Sequence, residues 1–418
     1  MSYPTGSSSN PPGHGEFARH WRLVAAATAG VTCSSVVLPY YSIGVLLQPV
    51  TAEFGWTHAQ FQWAILFSAT LGALTGPLVG WLVDRYGVRR VALPGLLGLG
   101  LGFFVAAAMD GSLWMFYSAY ACMAVLGAGT TPVTWTRALA GKFQHKRGLA
   151  LGLALSGTGI CAMIAPRYTL WFVESFGWRS AYVAVGLLPI LFAGPLVLWG
   201  CRGESTATAS SIDEPAPQGL SPREVLRGYR FWLLLLSILL SYMAISGIGP
   251  NLIPALTDKG LPVASAALLQ GIMGAAIVAA RIVVGLLVDR FWAPAVAFCS
   301  LLLPMAGCLI LADTRSPAMQ TLAVVLLGFG AGAELDLMSY LTARYFGMLH
   351  YGRIYAVLYA ALALCSGVAP ALFAMVRDRS GSYDTAFIGT AMLFSLGAAT
   401  VLGLGRYPDF SVPQRAPG

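Results

Sequence analysis

Arg281, Glu334 and Asp336 stand inside stretches that are otherwise apolar, and side chains of these types can bind anions and move protons. Arg281 has Ile277-Val278-Ala279-Ala280 before it and Ile282-Val283-Val284 after it. A guanidinium in such a place can grip a carboxylate through two parallel hydrogen bonds, and it keeps its charge at any working pH. The competing role is an ion pair with an acid of another apolar segment, and the two roles can alternate during a cycle. Glu334 and Asp336 lie in Gly328-Phe329-Gly330-Ala331-Gly332-Ala333-Glu334-Leu335-Asp336-Leu337. Two positions apart on a helix, they point about 200° from one another, so they are not expected to serve one site together. One acid can neutralise Arg281 while the other carries a proton. Glu334 is the candidate proton carrier, and Asp336 the candidate interhelical partner.

Other residues are open to two readings. Arg167 follows Pro166 and points either into a solute path or out to headgroups, where long cationic side chains snorkel. Arg137 sits near a segment end, where snorkelling or pairing with Asp84 is expected. Tyr40 and Tyr41 follow Pro39 and either line a path or pack the interior; Tyr355 and Tyr359 are weaker candidates of the same kind. The seven cysteines fall mostly in apolar blocks without ligand spacing, so neither a metal site nor a disulfide framework is expected. Without a His/Cys ligand set, a phosphate-cradling loop or a nucleophile elbow, an enzyme and a bound cofactor are not expected either.

The elements that must position these charges follow from composition. Of 418 residues, 57% are hydrophobic and 10% charged. A water-soluble surface needs far more charge, so much of the exterior must face lipid. The apolar residues form blocks long enough to cross a bilayer as helices, each needing roughly 20 residues. Reading between charged and Pro/Gly-rich breaks predicts twelve spans, at 22–46, 60–83, 91–108, 113–135, 148–172, 180–199, 231–253, 265–288, 294–312, 318–341, 354–376 and 385–405. Residues 1–20 read as a flexible tail, 21–200 and 231–405 as two six-helix bundles, 201–230 as a linker and 406–418 as a second tail. A cap at Ser221-Pro222-Arg223-Glu224 predicts a short helix before the seventh span.

Alternate loops divide the cations unevenly. Arg85, Arg89, Arg90, Lys142, Lys146, Arg147, Arg290, Arg344 and Arg353 fall on one side, against Arg179, Lys259, Arg315, Arg377 and Arg379 on the other. The positive-inside rule places the first set, and both termini, in the cytoplasm. The net charge of +8 is thereby explained by topology and calls for no nucleic acid.

The halves repeat. Gly80-Trp81-Leu82-Val83-Asp84-Arg85 returns as Gly285-Leu286-Leu287-Val288-Asp289-Arg290, and Gly148 and Pro166 return as Gly352 and Pro370. Two copies of one bundle about an axis along the membrane normal leave a central path that opens to either side as the halves rock. The segment Gly80 to Arg90 resembles the signature of the major facilitator superfamily between its second and third helices, with Val88 where a basic residue often stands. That resemblance extends over about residues 20–406 and implies a twelve-helix fold of two pseudo-symmetric bundles. It also implies gating roles for Gly80, Asp84, Arg85, Gly87, Arg89 and Arg90, for Arg137, and for Asp289 and Arg290 of the second copy.

Within that superfamily the chain is similar to the monocarboxylate and oxalate/formate antiporter branch. The likeness rests on Tyr40 to Pro49 with Glu53 to Thr57, on Arg147 to Gly157, and on Ala280 to Gly285, where this branch places an arginine that meets carboxylates. Tyr41 stands where some monocarboxylate carriers have lysine, Ile277 replaces the acid one turn before the arginine, and no lysine marks the eleventh span. The resemblance implies a monomeric carrier of a small organic anion in a bacterial inner membrane, working by proton-coupled symport or anion exchange. The alternative is proton antiport exporting a drug-like or cationic compound.

Overall fold

The computed structural model describes residues 14–140, 142–143, 147–202, 219–347 and 349–408; the side chains of residues 14–16, 84, 147–148, 352 and 356 are outside what it describes. The two tails therefore lie largely, and the linker mostly, outside the described residues.

Long helices form where apolar residues run on without charge, because in lipid each backbone N–H and C=O has to be paired within its own segment. Among the described residues, nine helical runs are long and apolar enough to cross a membrane, and one of them, Leu149–Gly200, has double length. Its main helix α9 (Gly157–Leu188) turns at Gly177, whose φ of 82° suits glycine. With α8 (Arg147–Leu155) before it and α10 (Gly194–Gly200) after it, this run fills the fifth and sixth expected intervals.

The first and fourth intervals depart from expectation. Two helices, α1 (His14–Thr32) and α2 (Leu38–Phe54), replace a single helix at 22–46; α6 (Leu113–Leu126) and α7 (Pro132–Ala140) flank a 3-10 turn at Ala128–Thr130. The two interruptions touch: the Ser35 N–H donates to Thr130 Oγ1 at 2.9 Å. A backbone group freed by one break is thus satisfied by the other, which is what lets irregular backbone persist in an apolar interior. Helix α1 also begins inside the tail expected over residues 1–20, so the ordered part of the first half starts earlier.

The rest of the first half comprises the short α3 (His58–Gln62), α4 (Ala64–Tyr86) and α5 (Val88–Ala107). Past the linker, α11 (Pro222–Arg227) carries the expected cap: Ser221 Oγ accepts from the Glu224 N–H, and Glu224 accepts from the Ser221 N–H at 2.7 Å. The second half is α12 (Tyr229–Asp258), α13 (Val263–Arg290), α14 (Ala293–Asp313), α15 (Pro317–Phe346), α16 (Tyr351–Ser380) and α17 (Asp384–Leu402).

The halves meet along three seams, α9 on α13, α3 and α4 on α16, and α2 on α12. Large apolar side chains such as Leu74, Trp114, Trp171, Ile282 and Leu286 stay exposed, the arrangement of a surface that does not face water. Contacts separate two ends. At one, Glu53 bonds Trp178 and Arg179, Gln48 bonds Thr257, and His58 meets Tyr383. At the other, Phe17 packs on Phe143, Arg22 stacks over Trp199, and Arg230 bonds the carbonyls of Leu404 and Arg406.

Candidate functional site

Arg281 and Asp336 are brought together by a glycine contact one turn away. A Cβ on Gly332 would lie 2.5 Å from the Ile277 carbonyl oxygen, so only glycine lets α15 lie this close on α13. Four residues further along each helix, Arg281 Nη1 stands 3.1 Å from Asp336 Oδ1. The arginine side chain is 6% exposed and the aspartate 34%, so the pair has a dry side and an accessible one. Among the described residues Arg281 Nε has no acceptor, leaving part of the fork unused.

Glu334 occupies a different face of α15, as the helical geometry predicts. It is buried, and neither carboxylate oxygen has a hydrogen-bond partner among the described residues. Tyr40, Tyr242 and Cys365 stand within electrostatic reach of it. Tyr242 of α12 is also in electrostatic reach of Arg281, Tyr41 and Tyr359.

The first half contributes Tyr40 and Tyr41, whose rings meet edge to face at 5.1 Å between centroids. Tyr40 donates to the Ser246 carbonyl at 2.8 Å, across the division between the halves. Tyr41 is in reach of Arg281. On α16, Tyr351, Tyr355 and Tyr359 recur every four residues and stack at 5.5 and 6.3 Å, with Tyr355 in reach of both Arg281 and Asp336. Five of the expected substrate contacts, Arg281, Tyr40, Tyr41, Tyr355 and Tyr359, therefore share one neighbourhood. Arg167 does not join them: it lies on an exposed stripe of α9 with Ile164 and Trp171.

The signature segment forms the link between α4 and α5. Gly87 makes the turn at φ 81°, and a Cβ on Gly80 would meet Arg137 Nη1 at 2.5 Å. The Asp84 side chain is outside the described residues. Arg85 stacks over Trp81 and Tyr86 at 5.4 and 5.7 Å, and Arg89, Arg90, Asp289 and Arg290 are exposed.

A second polar group lies toward the Glu53 end. Gln62 donates to the Pro250 carbonyl at 3.3 Å and to Asn251 Oδ1 at 3.2 Å; Asn251 donates to Pro370 O, and Gln270 to Gly249 O. Further out, the Ala59 N–H donates to Asp378 at 3.0 Å, and Gln48, Thr51, Trp56, His58 and Arg377 line a recess of about 640 Å³. Neutral amides in apolar helices carry no charge signal, and Gln62, Tyr242, Asn251 and Gln270 were not expected as site residues. An amide in an apolar run is costly without a partner and is itself the signal that could have found three of them.

Comparisons with known proteins bear on the fold and the family. The model of the Major Facilitator Superfamily matches residues 24–370. The chain is 24% identical to human Monocarboxylate transporter 11 over 96% of this chain and 86% of that protein. It is 24% identical to the Uncharacterized MFS-type transporter YhjX of Escherichia coli K12, over 69% of this chain and 71% of that one. A solved bacterial homolog of the human lysosomal transporter Spinster, inward-facing and occupied, superposes with a TM-score of 0.68 at 16% identity, covering 95% of this chain and 96% of the other. The fold is that of a multi-pass membrane protein in which two halves alternate access, a secondary transporter and not an enzyme, and the chain belongs to the Major Facilitator Superfamily.

Proposed function

We propose that the chain carries a small organic carboxylate across a bacterial plasma membrane, as a monomer, by proton-coupled symport or anion exchange. The observation that carries this reading is the Arg281–Asp336 pair, with the guanidinium dry and the carboxylate a third exposed. An incoming carboxylate can take the unused Nε and displace Asp336 from Nη1, and Asp336 can reclaim the cation when the anion leaves. The internal acid thereby acts as a competing ligand, which keeps binding reversible.

Glu334 supplies the coupling in this reading. Its negative charge has no counter-ion among the described residues, and a bound proton removes that cost while reducing repulsion of the anion. The positive-inside count puts the Arg89 end in the cytoplasm and the Glu53 end outside. On that orientation Gln48, His58 and Gln62 join the halves on the outer side. The similarity to Monocarboxylate transporter 11 supports the substrate class.

One observation favours the alternative, export of a cation by proton antiport. Glu334 is buried without a hydrogen-bond partner among the described residues, and an uncompensated buried acid also suits a cation. Purified protein in proteoliposomes with an imposed pH gradient separates the two. Carboxylates accumulating toward the alkaline compartment, with loss on Arg281→Gln, support the proposal. Cations accumulating toward the acidic compartment, unaffected by Arg281→Gln, favour the alternative.

A further inference from the structure

Helix α12 contains two prolines, Pro250 and Pro254, that have no N–H to give the carbonyls four residues earlier, those of Ser246 and Pro250. Both orphaned carbonyls are satisfied, and both from the opposite half. Tyr40 of α2 donates its hydroxyl to Ser246 O at 2.8 Å, and Gln62 of α3 donates its amide to Pro250 O at 3.3 Å. The backbones themselves close in here, since a Cβ on Gly44 of α2 would lie 2.7 Å from the same Pro250 oxygen.

We propose that Tyr40 and Gln62 are the latches that join the halves toward the Glu53 end, and that Pro250 and Pro254 exist to expose the acceptors they hold. In a regular helix each mid-length carbonyl already accepts from its own ladder, so a neighbour can only share it; a carbonyl freed by proline has both lone pairs to give. Two prolines one turn apart free two successive carbonyls on nearly the same face, spaced to meet side chains from two different helices of the other half. The latches are uncharged, so they can part as the halves rock without stranding an ion in an apolar seam. When they part, the freed carbonyls need water or a new donor, so their release is tied to hydration of the path.

This inference rests on the two-half fold and is independent of the substrate. It is tested on the full chain in lipid nanodiscs by distance measurements between spin labels at Ala52→Cys and Arg379→Cys, with Cys122 and Cys299 replaced. Tyr40→Phe and Gln62→Leu should each raise the population with widely separated labels, by roughly three- to tenfold per lost hydrogen bond. Pro250→Ala and Pro254→Ala, which restore an N–H inside the helix, should do the same. The pairing is read from combinations: Tyr40→Phe should add nothing to Pro250→Ala, and Gln62→Leu should add less to Pro254→Ala than it does alone, only its Asn251 bond then being left to lose, whereas the crossed combinations should add in full. A packing role for the tyrosine or a bending role for the prolines would give fully additive effects in the matched combinations and overturn the proposal. If the proline variants fail to insert, unchanged distances in Tyr40→Phe/Gln62→Leu overturn it alone.

Discussion

Arg281 of α13 and Asp336 of α15 are paired at 3.1 Å, each one helical turn beyond the point where Gly332 lets the two backbones touch at Ile277. The register of one glycine contact thus decides which acid answers the buried cation. Glu334, two residues away, is left without a hydrogen-bond partner among the described residues.

Removing either member of that pair should have unequal effects. Asp336→Asn strands a guanidinium that is 6% exposed, while Arg281→Gln strands a carboxylate that is 34% exposed and partly solvated. The first should destabilise the protein more, by up to about 3 kcal/mol, and a carboxylate ligand should restore much of the loss by replacing Asp336. Transport should split in the same way. Asp336→Asn should lower KM and slow turnover, because the competitor that expels the anion is gone, whereas Arg281→Gln should lower kcat/KM roughly ten- to hundredfold. Thermal melts with and without carboxylates, beside initial uptake rates, check both. Equal melting losses with no ligand rescue would contradict the displacement mechanism.

Glu334→Gln should separate coupling from binding. The substitution removes a buried charge that has no hydrogen-bond partner among the described residues, so stability should hold or rise. Carboxylate exchange between equal pools should continue, while accumulation driven by a pH gradient should be lost and the pH dependence of uptake should flatten. Counterflow and gradient-driven uptake from one preparation give the comparison. Simultaneous loss of both would instead make Glu334 part of the binding site.

How much of this the chain disclosed depended on charge and glycine. Arg281, Glu334 and Asp336 were visible because ionised side chains interrupt apolar runs, and the opposed faces of the two acids followed from helical geometry alone. The choice between a substrate contact and an ion pair for Arg281 stayed open, because it depends on the register set by Gly332. The break in the first interval was not legible for a different reason. The segment Cys33-Ser34-Ser35-Val36-Val37 has neither proline nor glycine, and its interruption is stabilised by Thr130, almost a hundred residues away in sequence. The prolines of α12 were present in the predicted span, but which donors would meet their freed carbonyls is a tertiary fact.

Acid should weaken the Glu53 end in a defined window. Glu53 accepts from Trp178 Nε1 at 2.6 Å and Arg179 Nη1 at 2.8 Å, and these bonds, the tryptophan's first, hold its carboxyl below the ordinary value of 4.5. A carboxyl lowered in the folded state stabilises fully above its unfolded value and loses that contribution as pH falls through the lower folded one. The wild-type melting temperature should therefore fall more steeply below about pH 4.5 than that of Glu53→Gln, with the two curves parallel at higher pH. The group is exposed, so the difference should be small and should shrink in high salt. Parallel curves throughout would show that the carboxylate contributes nothing there.

Two glycines on one helix should behave oppositely. On α13, a Cβ at Gly274 would come 2.5 Å from the Gly159 carbonyl oxygen of α9, and one at Gly159 would come 2.7 Å from Gly274 O. Backbone cannot retreat from such contacts as a flexible side chain would, so Gly274→Ala must push the halves apart along this seam. Overpacking of this kind costs about 1–3 kcal/mol. Eleven residues on, a Cβ at Gly285 would meet nothing within 4 Å among the described residues. Gly285→Ala should therefore keep only the helix-propensity gain, up to about 1 kcal/mol, although it falls in the repeated signature. Melting temperature and uptake rate for the two variants give the test: Gly274→Ala should lower both, Gly285→Ala neither. If Gly285→Ala abolishes uptake in a stable protein, that glycine must be packed closely in another state of the cycle, and the second copy of the signature gains a gating role that its open surroundings here do not supply.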